Sequence, residues 1–162
     1  MPQPVQFLPL TEEIAVNYPG TNNSGTAVAA DVSVGDTVTL KDAAETDGTM
    51  SVCRPETATL ENTKFLVTDV SPMVNQITSG TTRRGGIIKV VPWKRITGFV
   101  NANVADGVAA GDALVVTNGV FSLSASTSVA SVAAIAAYVG YARAANSSGA
   151  IASRSVQAGV FQ

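Results

Sequence analysis

Val108-Ala109-Ala110-Gly111-Asp112-Ala113-Leu114-Val115-Val116-Thr117-Asn118-Gly119-Val120-Phe121-Ser122-Leu123 is the stretch from which the fold is read. Asn118-Gly119 supplies the two positive-φ positions of a type I′ turn, between runs rich in apolar residues. A two-residue loop of this kind pairs Thr117 with Val120, Val116 with Phe121, Val115 with Ser122 and Leu114 with Leu123. Cross-strand partners share a face, so Leu114, Val116, Phe121 and Leu123 are expected to point together into a core. Upstream, Gly111 tolerates positive φ, and the Asp112 side chain can hydrogen-bond its own turn. The Gly-Asp pair reads as punctuation that opens a strand.

A near-copy, "VSVGDTVTL", occupies Val32 to Leu40. Both segments place Val three residues before the Gly and apolar residues at the second and fourth positions after the Asp. Either they mark an internal duplication or one strand-opening turn is used twice. Further turn signals recur at short intervals, among them Pro19-Gly20, Asn22 to Gly25, Asp47-Gly48, Ser79-Gly80, Gly85-Gly86, Asp106-Gly107 and Ser147 to Gly149. Short strand-like runs lie between them, such as Ile14-Ala15-Val16, Lys64 to Val67 and Gly86 to Val91. Such spacing predicts an all-β chain, a compact antiparallel β-barrel or β-sandwich. In the C-terminal region, Val129 to Ile135 at helical spacing allows at most one short helix near 128–134. Alternation from Ile135 to Tyr141 and again from Ile151 to Phe161 then predicts a closing strand hairpin.

Residues 2–10 carry Pro2, Pro4 and Pro9, with Val5, Phe7, Leu8 and Leu10 between them. Proline fixes φ and biases its predecessor to extended conformations, so an extended arm is expected. Its apolar side chains either cap the chain's own barrel or reach across to a partner subunit. The expected organisation is an arm and linker over 1–25 and a single β-domain over 26–162.

Composition narrows the chemistry. A chain of 162 residues fits one domain, and one with 46% hydrophobic and 14% charged residues is too apolar to be disordered. A net charge of −2 offers no general attraction to nucleic acid or anionic membrane. The chain has no histidine, which removes the commonest general base and metal ligand. Its single cysteine, Cys53, excludes an internal disulfide and a multi-thiolate zinc site, and reads as a small buried hydrophobe. No nucleophile motif, phosphate loop or dinucleotide fingerprint is present, and the scattered carboxylates read as turn formers. The expectation is a protein without catalysis, cofactor or metal. No signal peptide or membrane span is read, so the chain is expected to be made in the cytoplasm.

Half of the ten basic residues fall between Arg83 and Arg95: Arg83, Arg84, Lys89, Lys94 and Arg95, around Trp93. "TTRRGG" reads as an exposed basic loop leading into the strand "IIKVVPW". Arg83 and Arg84 suit an acidic protein surface. Trp93 reads either as core or as an interface anchor. The candidate contact residues are therefore Val5, Phe7, Leu8, Leu10, Arg83, Arg84 and Trp93.

Taken together, the extended arm, "VSVGDTVTL", "VAAGDALVVTNGVFSLS" and the ending "YVGYARAANSSGAIASRSVQAGVF" resemble the capsid decoration (cement or head-stabilising) proteins of tailed bacteriophages. The resemblance covers about residues 26–40 and 104–162; the long N-terminal region and the basic segment depart from the pattern. It implies a homotrimeric virion protein on the outside of an expanded shell. There it would bridge neighbouring subunits of the major capsid protein, with no direct nucleic-acid or membrane contact. A carbohydrate- or ligand-binding β-module of a phage tail or cell-surface protein is the alternative.

Overall fold

A computed structural model describes residues 13–41, 48, 51–55, 64–96, 99–117, 119–123, 140–143, 145–146 and 153–160. The strands are β1 (Ile14–Tyr18), β2 (Thr37–Leu40), β3 (Val52–Cys53), β4 (Lys64–Val70), β5 (Ile77–Ser79), β6 (Thr82–Arg83), β7 (Gly86–Pro92), β8 (Phe99–Ala105), β9 (Ala113–Thr117), β10 (Val120–Leu123), β11 (Gly140–Ala142) and β12 (Ser153–Val160). Among the described residues the only helical turns are two short 3-10 segments, Pro72–Asn75 and Trp93–Arg95. The fold is all-β, as the turn spacing predicts. The segment 128–134 lies outside the described residues. Ile14–Tyr18, within the 1–25 segment and containing the strand-like run Ile14-Ala15-Val16, pairs as a strand with β7, from Ile14↔Val90 to Tyr18↔Gly86.

β9 and β10 pair in the register set by Asn118-Gly119, from Thr117↔Val120 to Leu114↔Leu123. Gly119 takes φ +79°. Leu114 and Val116 are buried as expected, and so is Val115 on the opposite face. β9 is thus covered on both faces. β11 and β12 form the expected closing pair, Gly140↔Val160 to Ala142↔Ala158.

β8 to β12 form a closed barrel in the order β10-β8-β12-β11-β9. The first half forms a five-stranded sheet in the order β1-β7-β4-β2-β3. Its two outer strands are joined by a parallel bridge, Asn17↔Ser51, and the Asn17 amide donates to Ser51 Oγ at 2.8 Å. Each half thus protects the strand edges that an open sheet would leave exposed.

The two halves share one topology. β1, β2, β3, β4 and β7 correspond to β8, β9, β10, β11 and β12, with identical neighbours in each sheet. The correspondence extends to register. In the first half the Gly35 N–H donates to Val67 O at 2.9 Å, and the Val67 N–H to Asp36 O at 2.8 Å. In the second, Gly111 N–H donates to Ala142 O at 2.7 Å, and Ala142 N–H to Asp112 O at 2.9 Å. Placing Val67 over Ala142 puts Val90 over Ala158 and Ile14 over Val100. Asn17 then falls on Asn103. The closing parallel contacts, Asn17↔Ser51 and Val104↔Phe121, fall one residue apart on both strands and so share a single register. Of the two sequence readings, the structure shows the duplication. The hairpin β5–β6 is an addition to the first half, between β4 and β7.

The Gly-Asp turns are the same device in both halves. Asp36 N–H donates to Ser33 O at 3.0 Å and Asp112 N–H to Ala109 O at 3.2 Å. The carboxylates reach back to accept from Ser33 N–H (2.9 Å) and Ala109 N–H (2.8 Å). Gly35 and Gly111 both sit at φ +92°, a region costly for a residue with a Cβ. Only their surroundings differ. A Cβ on Gly35 would lie 3.1 Å from Asn103 N, whereas one on Gly111 would meet nothing within 4 Å.

Two clusters fill the halves. Tyr18, Val38, Val52, Phe65, Val67, Ile88 and Val90 pack inside the first. Val100, Ala102, Val104, Leu114, Val116 and Ala142 pack inside the second, joined by Leu66, Val91, Trp93 and Ile96. Leu66 and Val91 belong to the opposite face of β4 and β7, so the first half closes one end of the second half's core. Gly111→Ala is expected to cost about 1–2 kcal/mol, the strain of an L-residue at positive φ. Gly35→Ala is expected to cost more, because the same strain adds to a collision with Asn103. Urea unfolding of the two variants checks the order.

Candidate functional site

Sequence reasoning treated both Gly-Asp pairs as punctuation. Asp112 fits that description. Asp36 does more, because it is a buried acid at the joint between the two halves. Its Oδ2 accepts from Ser33 N–H and lies 3.1 Å from the Arg54 guanidinium, and its Oδ1 accepts from the Asn103 amide at 2.8 Å. Arg54 follows β3 and is itself buried, and it also donates to Asp31 O. Asn103 comes from β8. It donates its side-chain amide to Val34 O at 3.0 Å and its backbone N–H to Gly35 O at 2.9 Å. The β9–β10 turn completes the joint: Thr37 N–H donates to Gly119 O at 2.8 Å. Gly119 sits at φ +79°, and a Cβ there would lie 2.9 Å from the Thr37 backbone oxygen, so glycine is what allows this approach.

Burial pushes the Asp36 carboxyl above its usual range, outweighing the opposite pull of Arg54, Asn103 and Ser33. Burial likewise raises the Tyr18 hydroxyl against the pull of Arg54. Both Asp36 oxygens are committed to holding the joint, so the pair fixes geometry. Such a pair contributes specificity more dependably than net stability. Neither Arg54 nor Asn103 is legible as a joint residue in the sequence, since each sits at an ordinary position in a strand-like run. The repeated V-x-x-G-D is the one signal that leads to them.

The basic segment is dispersed by the fold. Arg83 lies in β6 and is not a free loop cation: its Nε pairs with Asp31 Oδ1 at 2.9 Å and its Nη2 donates to Ala29 O. The loop 26–31 folds back over it and engages the guanidinium within the chain. Arg84 is exposed at the foot of the β5–β6 hairpin, its N–H donating to Gln76 O at 2.8 Å. Lys89 is exposed and pairs with Asp69 at 3.4 Å. Trp93 is 5% exposed, in the cluster with Leu66, Val91 and Ile96, so it is a core residue and not a surface anchor. Pro92 and the short 3-10 turn after it carry the indole inward. Cys53 is buried, as read from sequence. Val5, Phe7, Leu8 and Leu10 lie outside the described residues.

Among the described residues no group of three or more metal-ligating side chains is assembled, and no helix is long and apolar enough to cross a membrane. Comparison with protein-family models, with curated proteins and with solved structures yields no match to this chain.

Because the folded Asp36 carboxyl lies above its unfolded value, its contribution to stability is full below the usual carboxylate pKa of 3.8. That contribution is lost as pH rises through the raised folded value. Wild type measured against Asp36→Asn by urea unfolding is therefore expected to lose relative stability from strongly acidic towards neutral pH. A difference that moves in wild type's favour over the same range would reverse the assignment.

Proposed function

We infer that the protein is a structural virion protein that binds the outside of an expanded phage capsid. It stabilises the shell by bridging neighbouring major-capsid-protein subunits, as a homo-oligomer and without catalysis. It is made in the host cytoplasm and works on the capsid surface. The observation that carries this reading is the hairpin β5–β6, an exposed two-stranded ribbon added to one half of an otherwise duplicated fold. Ile77 on it is 59% exposed, and Arg84 stands at its foot. Strand β5, exposed along its length, offers main-chain groups for strand addition, with side-chain contacts for specificity. The weakly charged composition and the apolar, proline-rich residues 2–10 support the same reading.

The carbohydrate-binding alternative wants exposed aromatic faces. Among the residues whose exposure is described, Tyr18, Phe65 and Trp93 are buried, Phe99 and Tyr141 are half-buried, and Arg143 lies over the Phe99 ring at 4.0 Å. These positions favour the structural reading.

Co-sedimentation with expanded, undecorated shells tests it. Wild type is expected to bind. Deletion of residues 2–10 is expected to weaken binding more than it lowers the melting temperature. Arg84→Ala is expected to flatten the salt dependence of binding, since an exposed cation acts through a screened interaction. Absence of wild-type co-sedimentation would refute the reading.

A further inference from the structure

The first half carries two additions to the duplicated unit, and they touch each other. One is the hairpin β5–β6. The other precedes β2: thirteen residues separate Tyr18 from Val32, whereas three separate their counterparts Val104 and Val108. The extra residues form a strap, folded on itself by the bridge Thr21↔Ala27 and by Val28 N–H donating to Gly20 O at 3.0 Å. Arg83, on β6, grips the far end of this strap. Its Nη2 donates to Ala29 O and its Nε pairs with Asp31 Oδ1 at 2.9 Å. Asn75, where the chain enters the hairpin, brackets the next residues with its side-chain amide. It accepts from Val32 N–H at 2.9 Å and donates to Val32 O at 2.8 Å.

The strap also holds Arg54, from both of its ends. Thr21 O accepts from Arg54 N–H at 3.1 Å, and Asp31 O accepts from Arg54 Nη2. The same Nη2 lies 3.1 Å from Asp36 Oδ2, and Asp36 Oδ1 accepts from Asn103 of the second half at 2.8 Å. A continuous series of polar contacts therefore runs from Arg83 on the hairpin through Asp31, Arg54 and Asp36 to Asn103. In the second half Leu123 stands in the place of Arg54, and the three residues after Val104 leave no length for a strap.

We propose that the strap couples the hairpin β5–β6 to the joint between the two halves. The joint has a closed state, with Asn103 N–H on Gly35 O and Thr37 N–H on Gly119 O, and a locally open state in which those bonds are broken. Arg83 biases that equilibrium without touching the joint. By fixing Asp31 it fixes the carbonyl that orients the Arg54 guanidinium, and Arg54 in turn meets Asp36. Arg83 is thus a positioning residue. Coupling of this kind is reciprocal, so a partner that clamps the hairpin also tightens the joint. The coupling goes beyond the capsid reading and rests on contacts within one chain, not on shell binding.

Native-state amide hydrogen exchange tests it on the free protein, so its failure and that of the capsid reading are told apart. The reporters are the Asn103 and Thr37 amides, which bridge the halves. The reference is the Ala142 amide, bonded to Asp112 O within the second half, which follows any change in global stability. In Arg83→Ala, exchange at Asn103 and Thr37 is expected to speed up about 2- to 30-fold relative to Ala142, the range of effects carried through contact networks. Arg84→Ala, on the same hairpin but exposed, is expected to leave that ratio unchanged. Asp31→Ala, at a side chain 59% exposed, takes the place of Arg83→Ala if that variant does not fold, with the same expected direction. Exchange at Asn103 and Thr37 that changes only in step with Ala142 would overturn the proposal. So would an equal change of the ratio in Arg84→Ala.

Discussion

The buried carboxylate of Asp36 is the point at which the two halves of the chain are held in register. It closes its own turn through Ser33, meets Arg54 from the end of β3, and accepts the amide of Asn103 from the other half. Three partners from three parts of the sequence converge on two oxygens. The surrounding backbone bonds, Asn103 to Gly35 and Thr37 to Gly119, then form without side-chain choice. Removing an ion pair from water costs several kcal/mol per ion, so this pair acts mainly as a locator. It selects one placement of β8 and the β9–β10 turn against the first half among the many that apolar contact alone would accept.

Around that point the architecture follows from repetition. A five-stranded unit of this size is a poor independent fold, because its core is small. Two such units share their apolar surface: Leu66 and Val91, on the outward face of the first, complete the core of the second with Trp93 and Ile96. Trp93 therefore belongs to the joint between the halves. Burying a large aromatic side chain there is worth a few kcal/mol by area, on the order of the contribution of a core phenylalanine.

Local grammar was legible in the sequence wherever one residue type is forced. Asn118-Gly119 dictates its turn, and the hairpin register followed from it. Gly35 and Gly111 are forced by φ, and their aspartates by the turn they clamp. The all-β character followed from the spacing of such turns. What the sequence did not reveal depends on long-range placement. Arg54 and Asp36 are 18 residues apart, and Asn103 lies 67 residues beyond Asp36. No periodicity links them. The duplication was half visible in V-x-x-G-D, but its other equivalences pair unlike residues, such as Tyr141 with Leu66. Those become plain only once the ladders are drawn. Arg83 and Trp93 are conspicuous in sequence for charge and aromaticity, whereas the loop 26–31 and the interior that engage them are not.

The central claim is that one β-unit occurs twice and that its copies are coupled through the Gly35-Asp36 turn and Asn103. A double-mutant cycle with Asp36→Ala and Asn103→Ala, read by equilibrium unfolding, measures that coupling most directly. The account predicts a coupling energy of about 1–3 kcal/mol, the range of residues sharing one hydrogen-bond network. Additivity to within about 0.3–0.5 kcal/mol, as for distant and independent sites, would contradict it.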